Sequence, residues 1–219
     1  MEEKVMSIST VLTSAPLFAR AALVTGEISV ASILLGAALG FVIHAALRNF
    51  PRQIGRAYQA YVWVLRGTPF LVQLFIVYYG APSIGITPSA LQAAIGALAL
   101  YASAYFAEIF RSAWSGIPLG HAEAALSLGI SRTALFLKIE APQALRFSIP
   151  LLVNQSIIVL KESALASMVT VPELTMTAGR VVAETFSFVE PYSLLALAYW
   201  AMAYAISSVG RRIEQKVNF

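Results

Sequence analysis

From Ile28 to Leu47, twenty residues pass without a charged side chain, and His44 near the end is the one strongly polar group among them. At 1.5 Å per residue such a run spans about 30 Å, the thickness of a bilayer's hydrocarbon core. A chain crossing that core must satisfy its own backbone hydrogen bonds, which a helix does within one segment. Four further stretches read the same way. Residues 57–79 are apolar apart from Gln59, Arg66 and Gln73, with Gly67-Thr68-Pro69 in the middle, and the first half can lie along the interface before turning in. Residues 89–110 carry no charge until Glu108; residues 147–170 are interrupted by Asn154, Gln155, Lys161 and Glu162; residues 192–209 form the fifth. The expected fold is an all-α polytopic membrane protein with five transmembrane helices, residues 1–219 making one domain.

Composition agrees. Apolar residues make up 58% of the 219 and charged ones 12%, against roughly 45–50% and about 25% in soluble domains. No cysteine is present, which excludes disulfides, Cys-ligated metals and a thiol nucleophile. The net charge of +4 reads as membrane topology and not as a nucleic-acid footprint, because the basic residues fall in alternate links. Arg48, Arg52 and Arg56 follow the first span, Arg111, Arg132, Lys138 and Arg146 lie between the third and fourth, and Arg211, Arg212 and Lys216 end the chain. The opposite links hold no basic residue between Ala81 and Pro88, and only Arg180 among Glu173, Glu184 and Glu190. The N-terminus is expected outside and the C-terminus in the cytoplasm. The acidic start, Glu2 and Glu3 before Lys4, is wrong for a cleaved signal peptide.

The link over about 114–146 is the least lipid-like part of the chain. Glu123-Ala124-Ala125-Leu126 makes a good helix start, Gly129 a break, Ser131 a cap for a second short helix, and Pro142 an end or a kink. A short amphipathic helix there can lie on the lipid interface or insert into a soluble partner.

Charges inside a span are costly and face protein or a watered cavity. Lys161 is about 21 Å along the axis from Phe147. Asn154 and Lys161 share one stripe, Gln155 and Glu162 the next, so this helix is expected to line a pathway or a subunit interface. The structural alternative is that Lys161 and Glu162 pair with neighbours or with Arg66 and Glu108. His121 has only Glu123 near it in sequence, too little for a metal site.

Glu123-Ala124-Ala125, then Gly129, Ile139 and Pro142, resembles the EAA loop of permease subunits of ATP-binding-cassette importers. Ala141 stands where the family has Leu, and Gly120-His121 where it has Gly-Gln. Three flanking stretches, Arg66 to Leu74, Ala104 to Arg111 and Leu160-Lys161-Glu162-Ser163, are similar to those of the polar amino acid permeases. The resemblance implies the transmembrane domain of a type I importer in the bacterial inner membrane, moving a polar amino acid or derivative by alternating access. It implies a second permease subunit (identical or paralogous), two ATP-binding subunits and an extracytoplasmic solute-binding protein as partners. ATP and Mg would belong to the ATP-binding subunits, with no cofactor on this chain, in keeping with the lack of any Gly-Lys dipeptide for a phosphate-cradling loop. Glu123, Ala124, Ala125, Gly129, Ile139 and Pro142 would couple to the ATPase, although Glu123 can equally be a solvated cap.

A zwitterionic substrate needs an anionic group for its ammonium and a donor for its carboxylate. In related permeases an acid at the position of Glu162 contacts cationic substrates, and Lys161 can serve the carboxylate. Thr68, Tyr101 and Asn154 are further candidates, with capping and anchoring as the plainer roles of Thr68 and Tyr101. A half-helix N-terminus opened at Gly67-Thr68-Pro69 would also favour a carboxylate. The competing expectation is an ATP-independent secondary transporter or channel with Lys161 and Glu162 as an ion relay.

Overall fold

The structure, a computed structural model, describes residues 8–217, with side chains from residue 13 onward. The acidic start at Glu2 and Glu3 lies outside the described residues. Helix α1 (Ile8–Asn49) turns at Phe50 into α2 (Pro51–Gly67). After a break at Thr68 and Pro69 come α3 (Phe70–Phe75), a π-helical turn at Ile76–Gly80 and a 3-10 turn at Ala81–Ile84. Then α4 (Ala90–Ser115) leads into the short helices α5 (Leu119–Ser127) and α6 (Arg132–Leu135), a π-helical turn at Phe136–Glu140 and α7 (Ala141–Glu162). A 3-10 segment at Ser163–Val169, α8 (Leu174–Thr185) and α9 (Val189–Val217) complete the chain. Four of these stretches are long and apolar enough to cross a membrane, and the pair formed by α2 and the Phe70–Ile84 segment, bent by 105°, makes a fifth if it crosses as one broken span and otherwise a re-entrant loop.

The boundaries differ from the sequence expectation in ways that have physical causes. The first span is not the 28–47 run alone, because α1 continues back through Pro16 to Ile8. Thr25 and Ser29 are buried in it, their hydroxyls returning bonds to the carbonyls of Ala21 and Thr25 at 3.1 and 2.7 Å, so polar residues do not end the helix. Pro142 does not end the helix: it lies in the first turn of α7, directly after the π-helical turn at Phe136–Glu140 and inside one helical stretch from Arg132 to Val169, and the fourth span therefore starts before Phe147. Glu123 does not start its helix either, since α5 begins four residues earlier, after Pro118. The link after Val171 contains an unforeseen helix, α8. Glu173 caps it with both carboxylate oxygens, which accept from the backbone of Thr175 and Met176 at 2.8 Å, and Leu174, Ala178 and Val181 bury against Phe18 and Ala21 of α1.

Two close crossings hold the bundle. At Gly36 a Cβ would stand 2.9 Å from Ala102 Cβ, and at Gly40 only 2.8 Å from Ala107 N, both on α4. This is the small-x-x-x-small device by which membrane helices replace the missing hydrophobic drive with close packing. Gly210 of α9 likewise admits Val153 of α7, whose nearest methyl would lie 2.4 Å from an added Cβ. Ile28, Phe70, Leu74, Leu98, Phe106 and Val159 meet in the core between these helices.

Candidate functional site

The break in the second span is made by Gly67, Thr68 and Pro69, the last extended at φ −61°, ψ 138°. It strands carbonyls that Gln73 collects. Its amide donates to Leu65 O at 2.8 Å, Thr68 O at 3.2 Å and Thr68 Oγ1 at 2.9 Å, while Thr68 Oγ1 donates to Val64 O at 2.8 Å. Thr68 is thus committed to repairing the backbone.

Across from this break, Tyr101 of α4 packs its ring 5.4 Å from Phe70 and 4.9 Å from Tyr105. Tyr101 lies within electrostatic reach of both Glu162 and Arg66. Arg66 sits with its guanidinium 5.0 Å over the Tyr105 ring and its Nη1 3.7 Å from Glu108 Oε2. Glu108 is gripped from below by Arg111 through two bonds of 2.8 and 3.0 Å, and accepts from the Tyr58 hydroxyl. Tyr101 and Tyr105 thus form an aromatic pair beside the Arg66 guanidinium, with the half-buried Glu162 carboxylate within electrostatic reach of Tyr101.

The residues expected at the site divide accordingly. Glu162 lies within electrostatic reach of Tyr101. Lys161 and Asn154 stand on the exposed face of α7, while Gln155 beside them is buried with its amide nitrogen unpartnered. Arg66, Tyr105 and Phe70 were not expected as site residues. The spacing of Tyr101, Tyr105 and Glu108 at i, i+4 and i+7 was the available signal, since it puts all three on one helix face.

At the basic end of the bundle the α4–α7 link forms a second feature. Gly129 turns the chain between α5 and α6 at φ +75°, in open space, and Ser131 caps α6 by accepting from Ala134 N at 3.3 Å. Around this turn Leu119, Leu126 and Leu128 are 81%, 47% and 80% exposed. Glu123 and Ala124 are exposed and Ala125 is buried, so the EAA triplet presents its first two residues outward. Among the described residues the Glu123 carboxylate has no partner. Ile139 is half-buried, its carbonyl accepting from Gln143 Nε2 at 3.0 Å, and Pro142 is exposed. His121, in place of the family's Gln, has Nδ1 3.0 Å from Gln143 Oε1 and ties α5 to α7. Among the described residues no three His, Cys, Asp or Glu side chains cluster to hold a metal.

Comparison with known proteins gives these features a setting. Residues 32–219 match the family model described as binding-protein-dependent transport system inner membrane component. A probable amino-acid ABC transporter permease protein of Bacillus subtilis, YckA, is 39% identical over 189 residues, covering 86% of this chain and 83% of that protein. The arginine transport system permease protein ArtQ of the same organism is 30% identical over 214 residues, covering 97% and 98%. The crystal structure of an amino acid ABC transporter with histidines superposes with a TM-score of 0.89 at 31% identity, covering 97% of this chain and 99% of that one. The chain belongs to the family of inner membrane components of binding-protein-dependent transport systems: it is a permease subunit of an ABC-type importer, a transport component and not an enzyme.

Proposed function

We propose that this permease subunit carries a polar amino acid, or a derivative that keeps the ammonium and carboxylate groups, through the space between Glu162 and Arg66. The observation that carries this reading is the Arg66 guanidinium over the Tyr105 ring, beside Tyr101, which is within electrostatic reach of the Glu162 carboxylate. A zwitterion entering there meets a carboxylate for its ammonium, a planar guanidinium for its carboxylate and aromatic faces between them. Arg66 takes the role first expected of Lys161, which with Asn154 faces away and suits contact with a second permease subunit. The amino-acid names of the related permeases support the same substrate class.

The exposed apolar turn around Gly129, with the unpartnered Glu123 above it, suits a cleft on each ATP-binding subunit. The gathering of Arg48, Arg111, Arg132 and Arg211 at this end supports its placement in the cytoplasm with the C-terminus, and the N-terminus outside. Closure of the two ATP-binding subunits on ATP and Mg would push the turns and rock the bundle, while a solute-binding protein delivers substrate from the far side. Each state is populated only through differential contacts with these ligands.

The test is reconstitution of the chain with its permease partner, ATPase and binding protein in nanodiscs, reading ATP hydrolysis and uptake across a panel of amino acids. Stimulation by at least one polar amino acid is expected; stimulation by none, with the assembly intact, overturns the substrate reading. Glu162→Gln is expected to cut uptake of a stimulating substrate about ten-fold, the loss of one charge-assisted hydrogen bond, while Lys161→Gln has a smaller effect. The reverse ranking would move the site to the other face of α7.

A further inference from the structure

Besides the His121–Gln143 bond, the link that carries the Gly129 turn is fastened to the bundle through the last turn of α1. Arg48, in the last turn of α1, pairs with Glu140 at the end of the π-helical turn that precedes α7. Its guanidinium also lies 5.8 Å from the Trp114 ring of α4 and 5.4 Å from the Phe136 ring of the link. Those two rings stack on each other, 6.1 Å apart and 15° from parallel. His44, one turn before Arg48, closes the cluster with its ring 5.0 Å from Trp114. Three elements that are distant in sequence thus meet on one side chain.

The ion pair is only partly buried, with 38% of the Arg48 side chain and 16% of the Glu140 side chain exposed. A pair of that kind contributes little to stability in itself. What it does contribute is direction, because a planar guanidinium held against the edge of a stacked ring pair and by a carboxylate is restricted in orientation. Its position matters too. The π-helical turn puts an extra residue into the helix that bears Glu140, a feature often found where helices do functional work. On the other side, Arg48 is two residues from the Phe50 corner where α2 begins, and Arg66 of the proposed site stands in the last turn of α2.

We propose that Arg48 and Glu140 are positioning residues that join the link to the basic end of α1, so that a displacement of α5 by the ATP-binding subunit is delivered to α2 and the Arg66 side of the pocket. This rests on the coupling reading above. Neither residue touches substrate or nucleotide. Without the joint, α5 and α6 remain docked on the ATPase but swing on the Gly129 turn and the His121–Gln143 bond, and the push is dissipated in the link.

The experiment uses the full complex in nanodiscs and reads two rates, basal ATP hydrolysis and its stimulation by substrate-loaded binding protein. Arg48→Ala and the isosteric Glu140→Gln are each expected to lower the stimulation ratio by roughly five-fold or more, the lower range of coupling effects, with basal hydrolysis and co-purification of the ATPase retained. The exchanged pair Arg48→Glu with Glu140→Arg is expected to recover part of the ratio, and Arg48→Lys less, because an ammonium keeps the charge but not the stacked plane. Effects of the two single substitutions that simply add in the double variant would overturn the joint, as would an unchanged ratio. Glu123→Lys serves as the control. If it abolishes stimulation while the Arg48 and Glu140 variants do not, the joint fails and the coupling reading stands; if it too leaves stimulation intact, both fall. If Arg48→Ala does not assemble, Glu140→Gln, which removes no volume, carries the decision.

Discussion

Where α1 crosses α4, Gly36 and Gly40 lie against Ala99, Ala102 and Ala107 with no room for a single added carbon; where α2 meets α3, the backbone is broken and one glutamine amide serves three acceptors. The first contact depends mainly on shape, with one side-chain hydrogen bond, from Ser32 Oγ to Ile95 O at 3.2 Å, beside the glycines. The second depends on hydrogen bonds that can be exchanged one at a time. Packed small-residue seams behave as bistable or rigid units, whereas a hydrogen-bonded break can change geometry without opening a void. The two helices flanking the pocket therefore differ in kind: α4 is fixed to α1, and α2 ends in an adjustable corner.

The most severe way to break this contrast is to fill the seam. Gly40→Leu places a side chain where even a Cβ would be 2.8 Å from backbone, and overpacking of that sort costs about 3 kcal/mol or more. Loss of monodisperse protein in detergent, or a fall in melting temperature larger than for any pocket variant, is the expected outcome. A normally folded Gly40→Leu would show that the seam opens.

Gln73→Leu attacks the break. It leaves the Leu65 and Thr68 carbonyls without their donor, at about 1–3 kcal/mol for the unsatisfied groups. The protein is expected to fold, with hydrogen exchange accelerated at residues 65–70 and unchanged in α4. Equal acceleration in both would erase the distinction between the two contacts.

The mildest test uses pH at a third corner, where Glu173 caps α8. Burial raises its carboxyl above the ordinary value of 4.5 in spite of bonds from Thr175, Met176 and the Tyr199 hydroxyl. A carboxyl with a raised native pKa stabilises the fold fully below its unfolded value, and that contribution is lost as pH rises through the native value. Exchange of the α8 amides is expected to quicken as pH climbs through this window, beyond the intrinsic base-catalysed rise, and the seam amides are not expected to follow. A flat corrected profile would mean that the three donors balance burial, and a slowing would mean that they outweigh it.

The fold was largely legible in the sequence because membrane spans announce themselves by length and by what they lack. The turn at Gly129, the Ser131 cap and the break at Gly67-Thr68-Pro69 were also readable, each resting on local backbone chemistry. What escaped were features settled by distant partners. Gly36 and Gly40 carry no sign that Ala102 and Ala107 await them. Helix α8 is capped by a glutamate, outside the usual Ser, Thr, Asp and Asn set, and its apolar face makes sense only against Phe18 and Ala21. At the proposed site, Glu162 and Tyr101 are legible in the sequence only as candidates. Arg66 reads there as no more than an ion-pair partner of the span charges, because nothing local tells that its guanidinium leans on Tyr105.

The turn at Gly129 has surroundings that are empty and a backbone that is not free. With φ at +75° and nothing within 4 Å of an added Cβ, the site excludes L-alanine by handedness and not by bulk. Its mirror image, D-alanine, would sit there unstrained and restrict the unfolded chain more than glycine does. Semisynthetic insertion of that one residue would stiffen the tip of the lever while leaving every contact of the chain in place.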